Sequence, residues 1–187
     1  MFGFSLAWSQ ARVVTARGVL LLVCLLAGAP SVQAQANYQI PWQNGNQPCW
    51  EDAARYHGID PWLLYAIGYT ESRHNPKALN TANKNSTRDV GLMQINSSWL
   101  PTLRQYGISE NNLYNACAST YIGAWIMAKN FKRYGYSWEA IAAYNVGSLN
   151  TPGRQKVGRA YAERVYANYA LLTRRHGVSA RVATAAR

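Results

Sequence analysis

Beyond its first 34 residues the chain nowhere alternates apolar and polar residues for long enough to read as a convincing sheet, whereas helix starts and stops recur throughout. The sharpest start is Asp60 followed by Pro61: the carboxylate can cap free N–H groups, and proline fits the first helical position, where a missing N–H costs nothing. Asn75 and Pro76 are expected to stop that helix. An earlier helix is expected from about Cys49 to Tyr56, ending near Gly58. Residues 77 to 90, "KALNTANKNSTRDV", are polar and read as a loop or a short irregular hairpin. Further helices are predicted from Ser97 or Ser98 to Tyr106, closed by Gly107, and over 116 to 134, apolar nearly all round at its start and stopped by Gly135. Ser137 opens the next, which Gly147 ends. The last is predicted from about Gln155 to Arg175, with Val157, Tyr161, Val165 and Leu172 on one face. The expectation is an all-α, mostly helical single domain.

The first residues set the compartment. Arg12 and Arg17 precede the apolar run "GVLLLVCLLAGA" and the small-residue stretch "PSVQAQA", the layout of a cleaved secretory signal peptide. Cleavage is expected after Ala34, with Ala36 as the alternative; an uncleaved anchor is the competing reading. Val23 before Cys24 argues against a lipid-attached cysteine. The division is therefore 1–34 signal peptide, 35–47 lead-in, 48–176 folded domain and 177–187 mobile tail, with a periplasmic location. The exported part keeps only Cys49 and Cys117. A pair in an exported chain reads as one disulfide, with about 4 kcal/mol of stabilisation from the loop it closes; two separate buried thiols are the alternative. Its 17 basic and 8 acidic residues give +9, which favours anionic partners, nucleic acid or a carboxylate-bearing cell wall. Export and the lack of a concentrated basic run argue for a partner outside the cytoplasm, which such a wall fits, though net charge alone does not choose.

Chemistry enters where polar residues land on apolar faces. Leu63, Leu64 and Ile67 form the stripe of the second helix, and helical spacing carries it to Glu71. Burial raises the pKa of such a carboxyl, as a general acid near neutrality requires. A glutamate snorkelling at the helix end, or paired with Arg73, is the structural alternative. Trp138, Ile141 and Ala142 lead in the same way to Asn145, whose amide can orient a polar substrate or merely end the helix beside Gly147. Tyr161 lies on an apolar stripe, where most tyrosines are core.

"TESRHNP", "DVGLMQINSSW", "AAYNVG" and "YAERV", in this order and at these separations, resemble the soluble-type (SLT) lytic transglycosylases over about residues 48 to 172. The resemblance is strongest to small members that accompany type III or type IV secretion, conjugation or type IV pili. It implies an α+β lysozyme-like, mostly helical fold and cleavage of the β-1,4 bond between N-acetylmuramic acid and N-acetylglucosamine. Glu71 matches the catalytic glutamate, which would protonate the glycosidic oxygen and then accept the C6 hydroxyl proton, leaving a 1,6-anhydro end. Tyr161 would orient Glu71, Tyr144 and Asn145 would line the cleft, and Met93 and Gln94 would form its wall, with the Gln94 side chain meeting sugar. Most of Trp42, Trp50, Trp62, Trp99, Trp125 and Trp138 are expected to be core, and none is singled out as a sugar platform.

The stretch also resembles animal-type lysozymes, in which an aspartate directly precedes "YGILQINS"; here Asp89 precedes "VGLMQINS". In a retaining glycosidase a second carboxyl about 5 to 5.5 Å from the acid forms or stabilises the glycosyl intermediate, and a wider gap leaves room for water. Asp89 can stabilise an oxocarbenium-like transition state, bond the loop backbone as a turn aspartate, or pair weakly with Arg88. His57, His74 and His176 show no metal-ligand spacing, so neither metal nor cofactor is expected. The partners expected are peptidoglycan and components of an envelope-spanning machine, with no nucleic acid and a monomeric chain. The rival functions are a hydrolytic lysozyme using Glu71 and Asp89, and a non-catalytic wall-binding subunit.

Overall fold

Asp60 caps the second helix as its position demands: its Oδ1 accepts the Trp62 N–H at 2.8 Å, with Pro61 in the first turn. The computed structural model describes residues 47–176. In it the elements run α1 (Trp50–His57), α2 (Pro61–Ser72), β1 (Leu79–Asn80), β2 (Asp89–Val90), β3 (Ile95–Asn96), a 3-10 turn (Ser97–Trp99), α3 (Leu100–Arg104), a second 3-10 turn (Glu110–Tyr114), α4 (Ala116–Tyr134), α5 (Trp138–Val146) and α6 (Pro152–Arg175). The signal peptide, the lead-in up to residue 46, Trp42 and the tail 177–187 lie outside the described residues. Among those described, no helix is long and apolar enough to cross a membrane.

The absence of a sheet is corrected. β1, β2 and β3 form a small antiparallel sheet in the order β1-β2-β3, pairing Asn80 with Asp89 and Asp89 with Asn96. Strands of two residues are too short to show an alternating pattern, which is why only an irregular hairpin was legible there. α2 also ends earlier than its proline signal indicates. Arg73 (φ 54°) and His74 (φ 62°) take left-handed backbone just after Ser72. Packing compensates for that cost: His74 sits among Trp50, Tyr65 and Tyr69 with Nε2 2.9 Å from the Tyr65 carbonyl. α6 begins before Gln155 because Thr151 caps it and Pro152 fits its first turn. Of its expected inner face, Tyr161 and Val165 are buried, but Val157 is 56% exposed, and Tyr169 joins the buried side instead.

α4 runs through the centre, buried from Ala116 to Ala124 and again at Ile126 and Met127. The capping Asn115 accepts the Ala118 N–H at 3.0 Å. α2 and α6 pack together through apolar residues and three side-chain hydrogen bonds: Tyr161 to Glu71 (2.5 Å), Asn168 to Thr70 (2.9 Å) and Tyr169 to Asp60 (2.7 Å). Cys49, at the start of α1, is disulfide-bonded to Cys117 in α4 across 68 residues. That loop is long enough for the bond to stabilise the fold by about 4 kcal/mol through the unfolded state. The double variant Cys49→Ala, Cys117→Ala is therefore expected to lose about that much in urea unfolding; a loss below about 1 kcal/mol would show that the unfolded chain gains little freedom.

Candidate active site

A cleft of about 600 Å³ opens between the small sheet with its loop and the ends of α2, α5 and α6, and Glu71, Asp89, Gln94, Tyr144 and Asn145 all line it. That volume suits a small-molecule or oligomeric ligand. α2 delivers Glu71 at the end of its buried Leu63, Leu64 and Ile67 stripe. Tyr161, itself buried, donates its hydroxyl to Glu71 Oε1 at 2.5 Å from across the α2–α6 interface.

Burial is the main reason the Glu71 carboxyl is raised, to about 7; the Tyr161 hydrogen bond pulls it down, the Asp89 charge pushes it up and the Arg164 charge pulls it down again. A carboxyl so placed is protonated in a sizeable fraction near neutral pH and can both give and take a proton. Burial likewise pushes the Tyr161 and Tyr144 phenols well above their ordinary value, with the nearby Glu71 charge second in each case. Both therefore stay neutral. Arg73 does not pair with Glu71: it reaches Tyr69 instead, donating to that hydroxyl at 2.8 Å.

Asp89 is not a turn residue. It sits in the middle strand, and its carboxylate accepts amide N–H bonds from Asn80 (2.9 Å) and Asn83 (3.0 Å) on Oδ2 and from Asn96 (2.7 Å) on Oδ1. Asn80 and Asn96 are its cross-strand neighbours, so the sheet register builds the cradle. The pairing with Arg88 is corrected as well: that guanidinium makes a two-pronged pair with Glu110, Nε to Oε1 at 2.7 Å and Nη2 to Oε2.

Of the two expected wall residues, one takes another position. Met93 is fully buried, wedged between glycines of α2 and α4: a Cβ at Gly123 would lie 2.7 Å from its Cε, and one at Gly68 would lie 3.1 Å from its sulfur. Its backbone serves the cleft instead, since the carbonyl accepts the Tyr144 hydroxyl at 3.0 Å. Gln94 does line the cleft, but its amide N–H groups donate to the carbonyls of Gly91 (2.9 Å) and Ala78 (3.3 Å), bracing the turn rather than reaching outward. Gly91 is obligatory in that turn: its φ is 78°, and a Cβ there would sit 1.9 Å from the Leu113 carbonyl oxygen. Asn145 is exposed at the rim. Sequence reasoning passed over Asn80 and Asn83, whose only signal was an Asn-rich composition, Asn96, which lies within the motif "DVGLMQINSSW", and Trp99, which lines the cleft edge-to-face with Trp125 at 5.2 Å. Among the described residues no group of His, Cys, Asp and Glu could hold a metal ion.

Comparison with known proteins matches residues 48–166 to the family described as Transglycosylase SLT domain. The invasion protein IagB of Salmonella typhimurium is 42% identical over 122 residues, 65% of this chain and 74% of that protein. Protein IpgF of Shigella flexneri is 37% identical over 126 residues, 67% of this chain and 81% of that one. In three dimensions the chain resembles the lytic transglycosylase Slt of Pseudomonas aeruginosa, solved as an inactive E503Q mutant, with a TM-score of 0.57 and 19% identity over 71% of this chain and 24% of that one.

Holding a carboxyl whose pKa is raised has a stability consequence with a definite sign. Glu71 goes from about 4.5 unfolded to about 7 folded, so the folded state binds the extra proton between those values and its stability falls as pH rises from about 4.5 through 7. Glu71→Gln removes that loss. Urea unfolding should show Glu71→Gln gaining on wild type by up to about 3 kcal/mol between pH 4 and pH 8; a difference independent of pH would contradict a buried Glu71.

Proposed function

The chain belongs to the Transglycosylase SLT domain family and is a lytic transglycosylase of peptidoglycan; from that premise we propose that Glu71 breaks the β-1,4 bond between N-acetylmuramic acid and N-acetylglucosamine and leaves a 1,6-anhydro end. The observation that carries this reading is the half-buried Glu71 carboxyl, raised to about 7 and held by Tyr161 at the cleft wall. With Tyr161 on Oε1, the other oxygen is left for the substrate. Glu71 gives its proton to the glycosidic oxygen as the C1–O bond breaks, and positive charge develops at C1. The resulting carboxylate then takes the proton of the muramic acid C6 hydroxyl as O6 bonds to C1. Glu71 ends protonated, as it began, and no water is consumed.

Asp89 supplies the second charge. A carboxylate fixed by three amide donors costs little reorganisation when a cationic transition state forms, which supports an electrostatic role for it. Tyr161 acts as a positioning residue for Glu71, and Tyr144, Asn145 and Gln94 shape the sugar-binding wall; Met93 supports that wall from behind.

The same cleft supports a second reading, hydrolysis by a lysozyme-like pair, because Asp89 lines it together with Glu71. The motif resemblance to small members that accompany secretion, conjugation or pilus machines supports a place beside an envelope-spanning machine, and one relative is named as an invasion protein. The disulfide supports an oxidising compartment, the periplasm for an exported chain.

Mass analysis of digested sacculi tests the reaction. Wild type is expected to release muropeptides ending in 1,6-anhydromuramic acid, and Glu71→Gln to lower the rate by at least about a thousandfold, the scale of losing a general acid. Reducing ends without anhydro ends would assign a hydrolysing lysozyme instead. Binding without release of fragments would leave only a wall-binding subunit.

A further inference from the structure

Peptidoglycan differs from an uncharged N-acetylglucosamine polymer by its muramic acid lactyl group, which bears either a free carboxylate or a stem peptide that carries carboxylates. The two acidic residues of the cleft described above would not bind that negative charge, since like charges repel. The charge that suits it lies on the sheet side of the cleft. Lys84 lines the cleft from the loop between β1 and β2, and Lys129 of α4 holds its ammonium 5.0 Å over the Trp125 ring and 5.9 Å over the Trp99 ring, the latter a cleft residue.

Neither lysine is neutralised. Among the described residues the ion pairs are Arg55 with Asp52 and Arg88 with Glu110, and neither includes a lysine. Asp89 has its oxygens occupied by Asn80, Asn83 and Asn96. Both lysines are also rooted in ordered surroundings. Asn83 is bonded to Asp89, and Asn85 accepts both the N–H and the hydroxyl of Thr87, so the two neighbours of Lys84 fix its loop. The two indoles restrain Lys129 through their ring faces.

From this arrangement we infer that Lys84 and Lys129 form a carboxylate-binding subsite on the sheet side of the cleft, which selects muramyl-bearing glycan through its lactyl or stem-peptide carboxylates. The inference rests on the reading of this cleft as the glycan site. The lysines select substrate and take no part in bond cleavage.

Calorimetric binding to the full exported chain carrying Glu71→Gln tests the subsite without turnover. Three tetrasaccharides of equal length serve as probes: one with stem peptides, one stripped to free lactyl carboxylates, and uncharged chitotetraose. At low salt at least one carboxylate-bearing probe should bind about tenfold more tightly than chitotetraose, the size expected of two partly exposed charge contacts. Adding Lys84→Gln and Lys129→Gln should bring that ratio to about one, as should 0.5 M salt in the parent. Preference for the stem-bearing or the stripped probe tells which carboxylate is read. Equal affinity of the parent for all three probes would overturn the subsite, as would a preference that survives the double substitution. Mass analysis of the same samples reports separately on the proposed chemistry: cleaved probe would remove Glu71 from the mechanism while leaving the affinity ratio readable.

Discussion

The hydrogen bond from Tyr161 to Glu71 ties the last long helix to the end of the second, and the rest of the cleft is arranged around it. α2 carries a carboxylic acid into apolar surroundings, which is unfavourable for its charged form; α6 answers with a neutral donor that holds the group in place without removing the effect of burial. A lysine in place of Tyr161 would hold Glu71 equally well and ionise it. A phenol, itself kept neutral by burial, positions the acid and leaves its proton available. Asn168 with Thr70, and Tyr169 with Asp60, repeat the link along the same helix pair and keep the two faces in register.

Opposite that helix pair, the small sheet performs a complementary task with the other sign. Its register sets Asn80 and Asn96 on either side of Asp89, and Asn83 closes the cradle from the loop. The two carboxyl groups of one cleft thus live in different environments, one apolar with a single donor and one with three amides. Such a separation suits the roles proposed for them, acid for the one and charge stabiliser for the other. The sheet could not do this unsupported. Met93 plugs the space between Gly68 and Gly123, its backbone is held by Ser119 and Tyr144, and Gln94 and Gly91 shape the turn behind Asp89.

Much of the helical frame was legible because local chemistry decides it. Asp60 with Pro61, Ser137, Gly135 and Gly147 act within a few residues of their positions, and Glu71 stood out because it interrupts an apolar stripe at helical spacing. What escaped depends on contacts remote in sequence. The stop of α2 at Arg73 is set by an aromatic nest around His74 rather than by Pro76. The sheet has strands too short for a pattern, so the amide cradle of Asp89, which needs its register, was invisible. Met93 was placed in the cleft through a motif resemblance, yet a motif fixes positions along the chain and not which way a side chain points; Gln94 of the same motif does line the cleft. Val157 follows the α6 stripe but emerges at the cleft, where the facing surface is open.

The account depends most on Glu71 holding its proton near neutral pH. A carbon-13 NMR titration of the glutamate side-chain carboxyls, with Glu71 assigned by its loss in Glu71→Gln, measures that property directly. The burial and the Tyr161 contact predict a midpoint near 7. A midpoint near 4.5, the ordinary value for a solvated glutamate, would mean that Glu71 is ionised at working pH and would contradict its role as the acid.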